Sequence, residues 1–531
     1  MSVASAPHMT FAKKLGQDMS GSVEILLKKA AKLEKTNKPL LALNLVEDAL
    51  KRFPANPRLK NRQKNLSLAI VKSQADIDPP YQVLKRLSDL MAKRNFEEAE
   101  LATQQLLKIH PNSAALLNVL GACLMEQKDR IEDAKAFLLM AANIKPNWPA
   151  TNLNLGNLYR INGDIEESLS ILRASVEAGI DEPDIFNSLG VSLQCVLADD
   201  EAKKCFLRAL QLDPSHIDAR NNLGYLAFKE HDFAKSWRLR EARFDKFKYK
   251  DELKRFKNSQ WNRTKTDTLL VWAEQGIGDE IMFASVLKEL MGFSNELVVS
   301  VSSKLVDLFK RSFGSNIKFI DRNTNISNES FENHVSAMTA LGYFRNELGD
   351  FEKARKPYLF ADETKASSIL SDLKYMAKDR PVVGLSWFSE AQIVGEARSI
   401  DLVEVVKEIP DDLFLVSLQY GTTPDDLKRV RKELGRDIYQ LPSLDYFNDL
   451  DGLAALISVC DRVVSVDNLT VHLSGALGKR CDILLPYFAD WRWGDETSET
   501  SLWYKSQTLH RQKERGCWLA CFQSLRSSLG T

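Results

Sequence analysis

Residues 269–280 read LLVWAEQGIGDE (Leu269–Glu280), a short apolar run that stops at a glycine-containing turn and passes into acidic residues and a helical pattern. An apolar run of this length bounded by turn residues predicts a buried strand leading into a helix. The stretch is also a border. Before it the chain is periodic, and after it apolar strands alternate with amphipathic helices.

Upstream, the dipeptide Leu-Gly recurs at Leu120-Gly121, Leu155-Gly156, Leu189-Gly190 and Leu223-Gly224, in steps of 35, 34 and 34 residues. That period predicts a tetratricopeptide (TPR) array of helix pairs. In the best unit Phe186, Leu189, Gly190 and Leu193 line the first helix, Ala202, Phe206 and Ala209 line the second, and Pro214 closes it. The small residues fall where two helices must cross closely. Weaker units are readable around Leu84–Pro111 and Glu24–Pro57, separated by the breaker Asp76-Ile77-Asp78-Pro79-Pro80. The basic, amphipathic stretch Arg238–Lys257 reads as a capping and connecting helix. About six repeats would curl into a concave surface that grips a partner segment, the alternative being an array that serves only packing or dimerisation.

A chain of 531 residues has room for two or three domains. Lys+Arg and Asp+Glu both total 72, which argues against nucleic acid or an anionic membrane as the main partner. Residues Met1–Ser22 carry no apolar run of signal-peptide length, and no 18-residue apolar stretch occurs, so a cytoplasmic protein is expected. The seven cysteines show no paired spacing; Cys517 and Cys521 read as a helical i,i+4 pair with only His510 near. Buried or half-buried thiols are expected rather than a metal site.

Downstream, Leu269–Trp272, Leu297–Val301 and Ile317–Ile320 read as strands, with helices at Met282–Met291 and Lys304–Ser312. A second series follows Pro357: strands at Val382–Ser386, Leu413–Leu418, Arg462–Val466 and Cys481–Leu485, and helices around Leu402–Ile409, Thr423–Leu434 and Asp451–Val459. Strand–helix alternation predicts parallel sheets with right-handed crossovers. Two such groups imply two facing Rossmann-like lobes with a ligand cleft at the carboxyl ends of their strands. The turn Gln275-Gly276-Ile277-Gly278-Asp279 lacks the third glycine of a dinucleotide fingerprint and the Lys-Ser/Thr of a P-loop. A more specific cluster is Ser465–Gly478, running from a strand end into a helix. Its first backbone N–H groups, with Leu469 and the Thr470 hydroxyl, suit a phosphate or diphosphate, and Arg398-Ser399 can add charge-assisted bonds.

These residues resemble a known family. WAEQGIGDEIMFAS (Trp272–Ser285), GLSW (Gly384–Trp387), VSLQYG (Val416–Gly421), VSVDNLTVHLSGALG (Val464–Gly478) and LLPYFADWRW (Leu484–Trp493), followed by SLWYKSQTLHRQ (Ser501–Gln512), match in order over about 260 residues. They are similar to the glycosyltransferase half of bacterial TPR-containing transferases, with a heptosyltransferase-like second lobe and an overall plan like that of protein O-GlcNAc transferase. The resemblance implies an all-α TPR solenoid followed by an α/β glycosyltransferase-B (GT-B) fold. It also implies a nucleotide-sugar donor and protein or lipopolysaccharide acceptors; TPR-bearing members include flagellin glycosyltransferases. One departure is Phe388, where relatives often carry a basic residue after the Gly-x-Ser-Trp motif.

The expected organisation is a degenerate-repeat helical region over 1–78, a TPR array with its capping helix over 79–250, a first lobe over 265–365 and a nucleotide-sugar-binding second lobe over 375–531. By resemblance Asp279 is the general base for an acceptor hydroxyl; the plain alternative is a helix-start aspartate. His472 reads as a catalytic or phosphate-facing group or as a structural histidine, and Asp467 as a sugar ligand or a helix cap. Gln419 and Tyr420 read as nucleotide-base contacts or loop residues. Gln275, Gly276, Gly278, Ser386, Trp387, Arg398, Ser399, Asn468, Leu469 and Thr470 complete the donor-binding set. Tyr487, Trp491 and Trp493 read as packing, and Asp449-x-Asp451 as capping rather than metal binding. The expected function is an inverting, metal-independent protein O-glycosyltransferase without a cofactor. It would use a CMP-nonulosonic acid or UDP-sugar and modify Ser/Thr of a protein docked on the repeats, flagellin being one candidate, with no nucleic acid or membrane partner. The alternatives are a non-catalytic TPR scaffold and a lipopolysaccharide-type heptosyltransferase.

Overall fold

The computed structural model describes residues 23–530 except 37, 76–77, 391–394 and 422–423. The sequence readings placed on 1–22, 76–77 and 423 therefore lie outside the described residues. The chain divides into two compact units, one ending at Gly179 and the other running from Ile180. The first is all helix, from Val23–Lys35 to Ile165–Glu177. Its helix pairs are close because glycine lets them be: a Cβ on Gly121 would lie 2.6 Å from Leu138, and one on Gly156 2.7 Å from Leu172. The hydroxyl of Ser168 bridges the same crossing by donating to the Gly156 carbonyl at 2.7 Å.

The second unit opens with two more such pairs, Pro183–Gln194 with Asp199–Leu212 and Ile217–Lys229 with Phe233–Arg240, here called α1. Gly190 faces Phe206, and Gly224 faces Arg240. The expected single helix over Arg238–Lys257 is instead broken: α1 ends at Arg240, a 3-10 turn covers Glu241–Asp245, and Lys246 is extended (ψ 142) before the short helix Phe247–Leu253. The break turns Arg243 inward, where its guanidinium meets Glu274 at 2.7 and 2.9 Å and the hydroxyls of Ser336 and Thr339, each at 2.9 Å.

Two parallel sheets follow. The first contains β1 (Thr266–Trp272), β2 (Ser294–Val301), β3 (Ile317–Asp321) and β4 (Asn333–Ser336) in the order β3-β2-β1-β4. The second contains β5 (Val382–Ser386), β6 (Phe414–Ser417), β7 (Arg462–Val466), β8 (Cys481–Leu485) and β9 (Gln507–Arg511) in the order β6-β5-β7-β8-β9. Every pair is parallel. Order reverses between β1 and β4 in one sheet and between β5 and β7 in the other, the two places where diverging loops leave a crevice. In the first sheet Arg243 sits at that crevice, bound to Glu274 after β1 and Ser336 at the end of β4.

Two expected helices shift. The segment assigned to Met282–Met291 begins earlier, as α2 (Ile277–Phe283) capped by Gly276, and is interrupted by a 3-10 turn at Ala284–Val286. Acidic Asp279 and Glu280 occupy its first turn, where the helix dipole favours them. Cys517 precedes the terminal helix Leu519–Leu529, so it forms no helical pair with Cys521. Among the described residues all seven thiols are free, four buried and three half-buried. No described helix is long and apolar enough to cross a membrane.

Candidate functional site

The switch point between β5 and β7 is held by buried polar residues at the strand ends. Gln419, just past β6, accepts with its side-chain oxygen from the Ser386 hydroxyl (3.0 Å) and the N–H groups of Trp387 (2.7 Å) and Phe388 (3.0 Å). Its amide nitrogen donates to the carbonyls of Phe388 and Tyr420. Asn468, the N-cap of α3 (Leu469–Ala476), donates to the Ser386 hydroxyl at 2.8 Å and the Phe388 carbonyl at 3.1 Å, and accepts from the Thr470 N–H at 2.9 Å. Buried Trp387 donates to Asp426 at 3.1 Å.

This lattice holds the loops after β5, β6 and β7 in one arrangement. Three residues expected in the donor site have partners within the chain. The Gln419 amide is fully engaged in bracing the 386–388 turn; the Tyr420 hydroxyl accepts from the Glu390 N–H, and Ser399 bonds Gly395 and Ser389. The Thr470 N–H, one of the helix-start donors assigned to phosphate, is already capped by Asn468. The Thr470 and Ser474 hydroxyls are buried and have no hydrogen-bond partner among the described residues.

Beside the lattice lies a chain of buried charges that joins both sheets. The Asp279 carboxylate on α2 accepts from Arg492 Nε at 3.0 Å and from its Nη2. Arg492 also holds Asp490. Asp490 lies 3.5 Å from Arg398, whose other nitrogen is 3.0 Å from Asp467. Three carboxylates thus share two guanidiniums. Burial pushes the Asp467 carboxyl up, against the pull of Arg398. Asp490 experiences the same burial, but Arg492 and Arg398 outweigh it and hold its carboxyl low.

His472, one turn into α3, points its Nδ1 at the Tyr504 hydroxyl (3.2 Å) and stacks on Trp493 at 5.6 Å. Burial, then the Arg492 cation, drives its pKa down to about 4, so at neutral pH it is an uncharged imidazole. A Cβ on Gly278 would lie 2.9 Å from its ring, which is why α2 carries glycine where it crosses α3.

The structure brings Asp279, Arg398 and Asp467 into this one network and sets His472 on Trp493 and Tyr504, while Ser386, Trp387, Gln419, Asn468 and Thr470 belong to the hydrogen-bonded lattice and Leu469 opens α3. It places Gln275 elsewhere: its carbonyl accepts from Arg322 (3.2 Å), and it lines a cavity of about 290 Å³ with Arg255, Phe256, Trp272 and Asn323, beside the ends of β1 and β2. Sequence reasoning missed Arg492, Asp490 and Tyr504. The signal was present in Asp490-Trp491-Arg492-Trp493, where charged residues alternate with tryptophans in a stretch read for its aromatics alone. Asp449 caps its helix through the Gly452 N–H, while Asp451 pairs with Arg311 and Lys365.

Residues 84–150 match the tetratricopeptide repeat family. Protein FlbA of Caulobacter vibrioides is 29% identical over 267 residues, covering 47% of this chain and 44% of FlbA. The peroxisomal targeting signal receptor of Saccharomyces cerevisiae is 33% identical over 89 residues, covering 17% of this chain and 14% of the receptor. The chain thus spans less than half the length of either relative. Among solved structures, a tetratricopeptide repeat protein from Parabacteroides merdae aligns at 14% identity and a TM-score of 0.30, over 44% of this chain and 95% of that one. MamA from Desulfovibrio magneticus aligns at 16% identity and 0.25, over 32% and 94%. The repeats are tetratricopeptide repeats, a kind of array that binds protein partners.

Proposed function

We propose that this chain is a protein O-glycosyltransferase of GT-B type, with the repeats docking the acceptor and the two-sheet region moving the sugar. The observation that supports this most is the meeting of Asp279, from the turn after β1, with Arg492 and the charged loops at the carboxyl ends of the second sheet. A carboxylate from one sheet beside guanidiniums from the other is what an inverting transfer without a metal requires. Asp279 takes the proton of a Ser/Thr hydroxyl, whose oxygen attacks the anomeric carbon of a nucleotide sugar from the face opposite the leaving group. The carbon–oxygen bond to the phosphate breaks, and the electron pair leaves on the nucleotide, where Arg492 and Arg398 face the growing charge. Arg492 must exchange Asp279 for phosphate during this step, which frees the base as the leaving group binds. Neutral His472 contributes a hydrogen bond rather than a charge. The acceptor class, including flagellin, follows the resemblance of the motifs, as does the choice between a CMP-nonulosonic acid and a UDP-sugar. The same resemblance leaves lipopolysaccharide-type heptose transfer as a further alternative, though a long repeat array has no evident use for that acceptor.

A non-catalytic scaffold is the second reading, favoured by the closed pairing of every acid in the charge chain and by the Asn468 cap on α3. Mass spectrometry of total protein from cells with wild-type, Asp279→Asn or deleted gene separates the two. Sugar masses on Ser/Thr that vanish in both altered strains, with donor binding by the purified variant retained in calorimetry, are expected for the transferase. Unchanged modification in the deletion strain would leave the scaffold.

A further inference from the structure

Leu138, Leu172, Phe206 and Arg240 occupy one position of successive repeats, each exactly one 34-residue period after the last. In the first three the side chain is fully buried and presses on the glycine of the Leu-Gly pair: Leu138 on Gly121, Leu172 on Gly156, Phe206 on Gly190. In the fourth, Gly224 is met by an arginine that is only 3% exposed. Repeat packing calls for an apolar residue here, and a residue that breaks a local rule where its equivalents obey it marks a function more often than a defect. Among the described residues the Arg240 guanidinium makes no hydrogen bond and no ion pair, and its Nη1 is completely buried. It is held by rings instead, 3.9 Å from the centroid of Trp491 and 4.9 Å from that of Tyr225. Arg492 lies 4.8 Å from the same Trp491 ring. Its neighbour in sequence, Arg243, is by contrast paired with Glu274 and Glu241.

A buried guanidinium without a direct ion pair is unfavourable for the fold, because the ion has left water and gained no paired carboxylate or hydrogen bond; only the more distant charge of Asp490 acts against its burial. Aromatic faces recover part of this loss, but they leave the buried Nη1 without a hydrogen-bond partner. We propose that Arg240, delivered by the last repeat helix, is an anion-binding residue that together with Arg492 grips a phosphoryl group of this protein's ligand. Two guanidinium forks on one tryptophan suit a tetrahedral oxyanion, which can accept paired N–H bonds from each. Tyr225, half-buried, covers Arg240 from a second side. The inference goes beyond the transferase reading, since it requires only that a phosphorylated ligand binds; it also makes the repeats part of the site rather than an appendage to it.

The test uses full-length protein and inorganic phosphate, with acetate as the carboxylate control, read by thermal melting and calorimetry. Wild type is expected to bind phosphate and melt higher in it, with a weaker response to acetate. Arg240→Met, which gives the last repeat an apolar residue where its predecessors carry leucine or phenylalanine, is expected to melt at or above the wild-type temperature in phosphate-free buffer and to lose at least tenfold in phosphate affinity. Arg240→Lys, keeping the charge without the fork, is expected to lie between. A methionine variant that melts lower while keeping the phosphate response would make Arg240 a structural clamp and overturn the proposal. Wild type indifferent to phosphate, or responding more to acetate, would overturn it as well. Phosphate binding is read without sugar transfer, so a failed transferase reading and a failed anion site give different results.

Discussion

Glu280 shows what a single buried carboxyl does to this protein. It accepts from the Ser302 N–H and Arg322, each at 2.7 Å, yet burial outweighs both and raises its pKa to about 7. Between the ordinary carboxyl range and pH 7 the folded state keeps a proton that the unfolded chain has released, so stability falls as pH rises through this window, by up to about 3 kcal/mol. Glu280→Gln removes this titration. Urea unfolding at pH 5 and pH 8 should show the stability gap between variant and wild type moving in favour of the variant by that order, and a constant gap would refute the assignment. Asp482 has the opposite sign: burial acts against it, but His510 and Arg462 hold it down to about 2. Its contribution is present above the unfolded value and is lost as the solution is acidified through pH 2. Replacing it by Asn would leave buried Arg462 without its carboxylate and should cost about 3–5 kcal/mol, read as a lowered denaturant midpoint. The sequence made residue types legible but not their pairing. Asp279, His472 and Asp467 were readable as candidates because they sit at a strand end or in the first turn of a helix, and Arg398 as a cation that could add charge-assisted bonds. That Arg492 links them depends on two loops more than 200 positions apart in the sequence, which no local pattern encodes.

At the scale of elements, the readable parts were those with strong periodicity. Three strands of the second sheet, Val382–Ser386, Arg462–Val466 and Cys481–Leu485, have the bounds the apolar runs predict, because they are buried on both faces. β4 and β9 escaped notice for the same physical reason. Each is the outermost strand of its sheet, met on its outer flank only by an isolated bridge, Gln260 to His334 and Thr500 to Thr508, and Asn-His-Val-Ser and Gln-Thr-Leu-His-Arg interleave polar residues that break the apolar run. The repeat helices were legible through their glycines, and this makes a direct prediction. A Cβ on Gly190 would fall 2.5 Å from the Phe206 ring, closer than any relaxed contact. Alanine favours a helix by up to about 1 kcal/mol over glycine, but overpacking costs about 1–3 kcal/mol. Gly190→Ala is therefore expected to lower the melting temperature. A single variant as stable as wild type would mean that the helices can part without loss.

For the whole molecule, the boundary the sequence draws and the boundary the contacts draw differ. Motifs of chemistry begin after residue 265, whereas the compact unit that contains both sheets begins at Ile180. The reason lies in side chains. Phe228 and Trp237, on the last repeat, share one core with β1, Met338 and Trp503. The Phe228 ring meets Phe233, Trp491 and Phe351 edge-on at 4.8, 4.8 and 6.0 Å, and the Trp237 indole donates to the Arg345 carbonyl at 2.6 Å. A Cβ on Gly342 would strike Trp237 at 2.9 Å. The last repeats are thus structural members of the two-sheet unit, and sequence periodicity could not reveal this because it reports what repeats, not what the final repeat packs against. Truncations separate the two boundaries. A chain starting at Ile180 should fold cooperatively and keep phosphate binding. A chain starting at 231 loses Phe228, and cutting one large buried aromatic from a core costs about 3–5 kcal/mol, so it should melt far lower or remain insoluble. Should the shorter chain melt as high as the longer one, the aromatic junction contributes little and the repeats are independent of the sheets. If the chain from Ile180 folds and binds donor but no longer modifies an intact protein acceptor at low concentration, and raising the acceptor restores the reaction, the repeats before it act by raising effective concentration. Equal modification at equal dilution would remove that role from the array up to Gly179.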